Sequence, residues 1–244
     1  MGTASLTLVG VGPGDPSLLT LAAVKAIQHS TVVAFPVSSP GADGMAATIA
    51  ASWIGQNTKR LPLLFPMVSA PSPRQVAWRE AGEKLVASVA EGEEVVFLCQ
   101  GDVSLFASAS YVLLYIRSNH PKCPVKLIPG VTAISAAAAA GSWPLALQMD
   151  QLHILPTPDD PEILETLLLD TACTNRVLAL LKLGKRWDWV RPLLEKKGLL
   201  SEALFAQRVG FADQQVMMAE NVPRSIRPYF SLLLIRQGWP EILP

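Results

Sequence analysis

Three short glycine-containing segments each follow an apolar stretch of the chain, and their residue types suit ligand binding. The first is Gly10–Asp15, the second begins with Gly101 and Asp102, and the third is Pro129–Ala133. Glycine lets a ligand approach the backbone, and an acid or a hydroxyl can hold a polar group. Because ligands of α/β proteins bind beyond the carboxyl ends of strands, the three segments together predict a binding site.

Each segment also has a simpler structural interpretation. Gly10–Asp15 fits a tight strand-to-helix turn capped by Asp15. Asp102 fits a turn residue, and Thr132 fits a helix N-cap. The first segment fails the dinucleotide fingerprint G-x-G-x-x-G, because Asp15 stands at the third glycine position. It partly matches Rossmann-type methyltransferases, but the second strand ends Ala34–Pro36 without the acid that binds ribose.

The composition excludes some classes of partner. The 244 residues include 20 Lys plus Arg and 20 Asp plus Glu, and 50% are hydrophobic. A chain of zero net charge does not suit broad binding to nucleic acid or to an anionic membrane. A local basic pocket for a small anionic ligand remains compatible with it. The apolar content suffices for one large domain or two small ones.

The cysteines and histidines are isolated from one another. They are Cys99, Cys123, Cys173, His29, His120 and His153. Without a CxxC pair, the sequence predicts neither a zinc site nor a disulfide framework. The first ten residues lack the features of a signal peptide, and no apolar run is long enough to span a membrane. We therefore expect a soluble cytoplasmic protein with reduced thiols.

Strand-like and helix-like segments alternate, which predicts an α/β fold. The predicted strands are Leu6–Val11, Thr31–Phe35, Val95–Cys99, Val125–Ile128, Leu152–Leu155, Arg176–Leu181, Ala203–Gln207, Gln214–Met218 and Tyr229–Arg236. Two predicted helices begin at Pro16 and Ser72. The other predicted helices span Met45–Ile54, Leu105–Arg117, Thr132–Ala140, Glu162–Leu169 and Trp187–Lys197. The stretch from 207 to 218 is too short for a crossover helix, which indicates an antiparallel hairpin. We predict two α/β subdomains, residues 1–130 and 131–244.

The three segments, in this order and spacing, resemble those of the tetrapyrrole methylases. The first continues as Gly-Val-Gly-Pro-Gly-Asp-Pro-Ser-Leu-Leu-Thr, and the third reads Ile-Pro-Gly-Val-Thr-Ala. The resemblance extends to the closing segment Tyr229–Leu232. It implies an S-adenosylmethionine-dependent enzyme that acts on a reduced tetrapyrrole. It also implies a homodimer of two-subdomain chains, with the cofactor bound in the cleft between subdomains.

Within the family, the chain is most similar to the precorrin-2 C(20)-methyltransferases. Ala34–Val37 resembles the Ala-Tyr-Pro of that branch and lacks the Tyr-Asp-x-Leu-Val motif of the uroporphyrinogen-methylating branch. The long segment 42–93 and Lys182–Lys185 also suit it. Two departures stand out. Val103 replaces the usual proline after Gly-Asp, which predicts a softened loop, and Phe35 replaces a tyrosine.

The resemblance assigns roles to particular residues. The positions that match cofactor contacts are Pro13, Gly101, Asp102, Leu105, Thr132, Ala133, Leu181 and Gly210. The basic residues that could hold the substrate carboxylates are Arg74, Arg79, Lys182, Lys185, Arg186 and Arg208. The sulfonium of the donor is already activated, so we expect no metal and assign no catalytic residue. The group that accepts the departing proton stays open.

The predicted reaction is methyl transfer to C(20) of precorrin-2, or of its cobalt-bearing form, in cobalamin biosynthesis. Alternatives are another position on the tetrapyrrole, a cofactor-binding module without turnover, and methylation of a protein or an RNA. The zero net charge argues against RNA. We expect neither nucleic acid nor membrane as a partner. The sequence does not choose between metal-free and cobalt-bearing substrate.

Overall fold

A computed structural model describes residues 4–66, 70–172 and 175–239, without the side chains of 170–172. The chain divides into two units, Met1–Thr132 and Ala133–Pro244. Each unit contains one five-stranded sheet with helices, as the predicted α/β class requires. None of the helices in the described ranges is long and apolar enough to cross a membrane.

The sheet of the first unit is entirely parallel, in the order β3-β2-β4-β1-β5. Its strands are β1 Ser5–Gly10, β2 Val32–Val37, β3 Lys59–Leu64, β4 Glu94–Cys99 and β5 Val125–Ile128. Its helices are α1 Leu21–His29, α2 Met45–Ile49, α3 Pro71–Ala90 and α4 Ser108–Asn119. Because β1 lies between β4 and β5, the carboxyl ends of these three strands are neighbours at one edge of the sheet.

The core of the first unit explains why its central strands are apolar throughout. Leu6, Leu8 and Phe97 are almost completely buried, and they pack with Leu85 of α3 and Ile116 of α4. A parallel strand covered on both faces has no solvent side, so the alternation of polar and apolar residues disappears. The continuous apolar run at 95–99 predicted such a strand, and the structure confirms it.

Strand β3 was not predicted. Its sequence, Lys-Arg-Leu-Pro-Leu-Leu, is partly polar and contains Pro62. The strand lies at the edge of the sheet, where one side needs no ladder partner and proline is tolerated. Strand β2 also continues past Pro36, which the sequence analysis took as its stop. Its paired register with β4 ends at Ala34, so Pro36 removes no hydrogen bond from that ladder.

The predicted helix starting at Pro16 is wrong in its first turns. Asp15 caps only a 3-10 turn, Pro16–Leu18, through a hydrogen bond from the Ser17 N–H to its Oδ1 at 2.8 Å. The α-helix begins at Leu21, five residues later than the proline pattern indicated. Its N-cap is Thr20, whose Oγ1 accepts the Ala23 N–H at 3.1 Å.

Other helix boundaries also differ. Helix α3 begins at Pro71, one residue before the predicted start, and Ser72 lies in its first turn without capping it. Helix α2 ends at Ile49 and is followed by a 3-10 turn. Helix α4 begins at Ser108 instead of Leu105, since the preceding residues form a loop. Thr132 precedes α5, whose first residue is Ala133.

The sheet of the second unit is mixed, in the order β6-β7-β10-β8-β9. Its strands are β6 Gln151–Pro156, β7 Arg176–Leu181, β8 Ala203–Gln207, β9 Gln215–Met218 and β10 Ser231–Arg236. Its helices are α5 Ala133–Ala140, α6 Pro161–Ala172 and α7 Trp187–Lys196. Only β6 and β7 pair in parallel, and the predicted β8–β9 hairpin is confirmed.

The core of the second unit is built around two aromatic residues. Trp187 at the start of α7 is fully buried, with its ring centroid 5.3 Å from that of Phe205 on β8. The indole N–H of Trp187 donates to the carbonyl of Pro223 at 3.0 Å, so the burial leaves its polar atom satisfied. This contact also ties the loop before β10 to the core.

A buried ion pair joins the entry of β6 to the end of β10. Arg236 Nη2 lies 2.6 Å from Asp150 Oδ2, and the two side chains are 3% and 5% exposed. The Arg236 guanidinium also lies 4.6 Å from the Trp239 ring. The hydrogen bond from Arg236 lowers the pKa of Asp150, so the carboxylate stays charged beside its partner.

Replacing Asp150 by alanine is expected to lower the free energy of unfolding by about 3–5 kcal/mol, because Arg236 would keep a buried charge without its carboxylate. Urea titration followed by tryptophan fluorescence measures the change. The control is Asp188→Ala, which breaks the exposed pair with Arg224 and is expected to cost at most about 1 kcal/mol. Equal losses in the two variants would contradict the prediction.

Candidate functional site

Three loops meet at the carboxyl edge of the first sheet, after β1, β4 and β5. Gly12 and Gly101 exchange backbone hydrogen bonds, with N···O distances of 3.2 and 2.7 Å. Val11 N donates to the carbonyl of Cys99 at 2.9 Å. The structure therefore brings together the three segments that the sequence singled out, although up to about 120 residues separate them along the chain.

Glycines allow these loops to touch backbone to backbone. A Cβ added to Gly10 would lie 2.6 Å from Gly130 N and 2.7 Å from Gly101 O. A Cβ on Gly130 would lie only 2.2 Å from Gly101 O. Gly101 itself has a φ of 73°, which other residues adopt at a cost. The three loops therefore meet through their peptide backbones.

Asp102 holds the second and third loops together. Its side chain is buried, and Oδ2 accepts the Gly130 N–H at 2.8 Å. Its Oδ1 accepts the Ser104 N–H at 2.8 Å and the Ser104 hydroxyl at 2.5 Å. Burial raises the pKa of Asp102, but the hydrogen bonds from Ser104 and Gly130 outweigh it, so the pKa lies below its usual value. Both carboxylate oxygens therefore already have partners within the protein.

The loop after Asp102 is also attached to α4. Val103 is buried, and its carbonyl accepts the Ser110 hydroxyl at 2.8 Å. Phe106 has a φ of 52°, so this loop leads into α4 through a strained residue. The Ser104 hydroxyl bonds Asp102 and does not cap α4, whose first residue is Ser108. Leu105 lies between Ser104, which bonds Asp102, and Phe106, whose backbone is strained.

Gln100 and Cys99 complete this edge, and the sequence analysis gave neither a role. Gln100 Nε2 donates to the carbonyl of Pro13 at 3.0 Å and so holds the first loop. The Cys99 thiol is buried, and burial raises its pKa to about 12. At neutral pH this thiol is uncharged and therefore a poor nucleophile. No motif marks Gln100, because its partner lies 87 positions away.

The second unit has its own loop edge, where β7 and β8 end and β10 begins. The carbonyl of Leu181 accepts from both the N–H and the hydroxyl of Thr157, at 2.7 and 2.9 Å. Gly210 has a φ of 84°, and its N–H donates to Gln214 Oε1 at 2.9 Å. Lys182 and Arg208 each follow a strand end with a positive φ, 58° and 48°.

The basic candidates fall into two groups. Lys182, Lys185, Arg186 and Arg208 lie at the loop edge of the second unit, whereas Arg74 and Arg79 are exposed on α3 of the first unit. Two of them have carboxylate partners. Arg186 Nη2 lies 2.7 Å from Asp159 Oδ1, and Arg208 Nε lies 2.7 Å from Asp213 Oδ2.

The sheets and loops described above define an α/β protein of two units. Among the described residues, no group of three or more His, Cys, Asp or Glu side chains could hold a metal ion. The profile of the family described as Tetrapyrrole (Corrin/Porphyrin) Methylases matches residues 5–221. The chain belongs to this family, as the motif resemblance predicted.

Two relatives are similar over nearly their full length. The chain is 28% identical to the cobalt-precorrin-2 C(20)-methyltransferase of Salmonella typhimurium, over 96% of this chain and 97% of that protein. It is also 28% identical to the precorrin-2 C(20)-methyltransferase of a Sinorhizobium species, over 99% and 98%. The cobalamin biosynthesis protein CobIJ of Mycobacterium tuberculosis is 31% identical, but the match covers only 45% of that protein.

Solved structures support the fold. The methyltransferase CobJ superposes with a TM-score of 0.70 at 22% identity, over 96% of this chain and 95% of that one. Uroporphyrin-III C-methyl transferase from Thermus thermophilus, complexed with S-adenyl homocysteine, gives 0.61 at 20% identity, over 95% and 92%. The predicted fold class is thereby confirmed.

Substitution of Gly130 by alanine is expected to lower the free energy of unfolding by more than about 3 kcal/mol or to prevent folding, because its Cβ would collide with the Gly101 carbonyl. Thermal and urea melts measure this loss. Gly41→Ala is the control, because nothing lies within 4 Å of the added Cβ, although Gly41 has a positive φ of 77° that Gly130 lacks. It should cost only backbone strain, about 1–2 kcal/mol. If Gly130→Ala lowered the free energy of unfolding by no more than Gly41→Ala does, the expected collision would be refuted.

Asp102→Asn is expected to lower the free energy of unfolding at pH 7 by about 1–3 kcal/mol, because one amide oxygen cannot serve three donors. The folded-state pKa of Asp102 lies below its unfolded value near 4, so the contribution of the carboxylate is complete above about pH 5. It disappears as the pH falls through the folded-state pKa. In urea titrations between pH 3 and 7, the free energies of unfolding of wild type and Asp102→Asn should therefore converge at the acid end. Ser104→Ala, which keeps the carboxylate, should retain the acid-dependent loss. If the free energies of unfolding of wild type and Asp102→Asn differed by the same amount at every pH, the Asp102 carboxylate would not have this role.

Proposed function

We propose that the protein transfers a methyl group from S-adenosylmethionine to C(20) of precorrin-2, or of its cobalt-bearing form, in cobalamin biosynthesis. The observation that carries this proposal is similarity over nearly the whole chain to two proteins named for that reaction. A third relative, named as a probable cobalt-precorrin-2 C(20)-methyltransferase of Methanocaldococcus jannaschii, is 30% identical over 77% of this chain. The family resemblance further supports a homodimer in the cytoplasm.

The glycines at positions 10, 101 and 130 let the three loops meet backbone to backbone, and these loops contain most of the positions that match cofactor contacts in the family. We assign its binding to Pro13, Gly101, Asp102, Leu105 and Thr132 of the first unit and to Ala133, Leu181 and Gly210 of the second. When bound, the donor supplies a methyl group on a positively charged sulfonium, which needs no nucleophile from the protein to activate it.

The residues of the chain would then act by positioning. Backbone amides and carbonyls at the loop edge bind and orient polar groups without taking up protons. Asp102 keeps the Gly101 and Gly130 loops at a fixed separation, which the alignment of donor and acceptor atoms demands. The uncharged, buried Cys99 thiol does not compete with the substrate carbon for the methyl group.

The substrate carries several carboxylates, so a basic surface is needed near the site. We assign this role to Lys182, Lys185, Arg186 and Arg208, with Arg74 and Arg79 on the first unit. The partners of Arg186 and Arg208 are exposed carboxylates, and exposed ion pairs contribute little free energy. A substrate carboxylate can therefore replace either partner at little cost.

The decisive experiment incubates the purified protein with S-adenosylmethionine and either precorrin-2 or its cobalt form. We expect one added methyl group at C(20), located by mass spectrometry and NMR, from a protein that light scattering identifies as a dimer. The ratio of kcat/KM for the two substrates shows which form is preferred.

Other outcomes distinguish the alternatives. Methylation elsewhere on the ring would replace the C(20) assignment with another position. Cofactor binding by calorimetry without turnover on any tetrapyrrole would indicate a binding module. Transfer of a labelled methyl group to protein or RNA would indicate a macromolecular substrate.

A further inference from the structure

Arg227 differs from the other arginines at the loop edge of the second unit. Three of those arginines have a carboxylate partner: Arg186 with Asp159, Arg208 with Asp213 and Arg224 with Asp188. Within the part of the chain that the structure describes, no carboxylate lies within ion-pair distance of Arg227. Its contacts are the Pro223 carbonyl, 2.8 Å from Nη2, and the Phe205 ring, 5.7 Å from the guanidinium carbon. Its positive charge is therefore not neutralised locally.

Two buried polar atoms close to Phe205 also lack partners. Arg227 Nε has no acceptor, and Gln207 Oε1 has no donor. Gln207 follows Phe205 by two positions on β8, so both side chains lie on the same face of the sheet. Buried polar atoms without hydrogen bonds are uncommon, because each loses its contact with water and gains nothing in return. Neither Arg227 Nε nor Gln207 Oε1 has a hydrogen-bond partner within the protein.

The backbone around Arg227 is nevertheless well anchored. The Ser231 hydroxyl donates to the Pro228 carbonyl at 2.6 Å and accepts the Gly184 N–H at 3.1 Å. Leu183 N donates to the Ser231 carbonyl at 2.9 Å. These bonds attach the segment after Arg227 to the loop that follows β7, which contains Lys182. Arg227 is thereby held at the same edge as the basic candidates already described.

An aromatic surface follows Arg227 directly. Tyr229 and Phe230 are 43% and 40% exposed, with ring centroids 5.4 Å apart. Lys182 Nζ lies 6.0 Å from the Tyr229 ring. Cations beside exposed aromatic rings suit a ligand that has a flat apolar body and carboxylates at its margin.

We propose that Arg227 binds a carboxylate of the tetrapyrrole and that Tyr229 supplies apolar surface beside it. This inference rests on the proposed function and adds a specificity-determining residue that no motif indicates. A guanidinium can bind a carboxylate through two parallel hydrogen bonds, and the incoming anion neutralises a charge that has no carboxylate of its own. A tetrapyrrole whose carboxylates are esterified would lack this interaction.

Binding of uroporphyrin III, a stable polycarboxylate tetrapyrrole, tests the proposal without requiring turnover. Quenching of tryptophan fluorescence gives the Kd. Arg227→Gln should raise the Kd about tenfold or more, and Arg227→Lys should raise it less because the charge remains. Arg224→Gln, three residues earlier in the same loop, is the matched control and should change the Kd less than about twofold. With uroporphyrin octamethyl ester, wild type and Arg227→Gln should bind alike.

Turnover and folding measurements complete the test. With precorrin-2, Arg227→Gln should raise KM for the tetrapyrrole and leave the Kd for S-adenosylmethionine unchanged. Near-UV circular dichroism establishes that the variants are folded. If Arg227→Gln does not fold, Arg227→Lys must still bind uroporphyrin more weakly than wild type and show no loss for the ester. Equal Kd values for the Gln variants at 224 and 227, or no binding of uroporphyrin by wild type, would overturn the proposal. Arg227-dependent binding without C(20) methylation would instead refute only the proposed reaction.

Discussion

The close contact of Gly10, Gly101 and Gly130 is the constraint on which the first unit depends. Three loops that leave adjacent parallel strands approach so closely that no side chain fits between their backbones. The sheet order makes this possible, because β1 lies between β4 and β5. What the loops share is peptide backbone, whose hydrogen-bonding groups do not change their charge. In the proposed reaction these loops orient the donor, and its sulfonium supplies the chemical reactivity.

The two units contribute different chemistry to the proposed reaction. The first offers closely packed loops, and the buried carboxylate of Asp102 already accepts hydrogen bonds from within the protein. The second offers cations and exposed aromatic rings at the ends of its strands. The sulfonium methyl donor and the polycarboxylate tetrapyrrole need such different surroundings. The zero net charge of the chain is compatible with both, because acids such as Asp159 and Asp213 offset the local cations.

Sequence patterns predicted those parts of the structure that depend on local or repeated signals. The bounds of β5, β7 and β8 agree with the structure, because each is a short strand bounded by clear breaks in the pattern. Strand β3 escaped prediction, since a polar edge strand containing proline resembles a loop. The helix starts near Pro16 and Ser72 were wrong because a proline or a serine can begin a 3-10 turn or lie inside a first turn equally well. Glycine and aspartate positions marked the loops of the site. Their contacts were beyond prediction, because the bond from Gly130 to Asp102 joins residues 28 positions apart.

The position of β10 has a consequence for how the chain is made. This strand is the last in the sequence, yet it lies in the middle of its sheet and joins β7 to β8. Until residues 231–236 leave the ribosome, β7 and β8 have no partner along the sides that will face β10, and the second unit consists of two separate halves. The first unit has all five of its strands by residue 128. The order in which the strands emerge therefore favours folding of the amino-terminal unit first, because the sheet of the carboxyl-terminal unit is complete only once residue 236 has emerged.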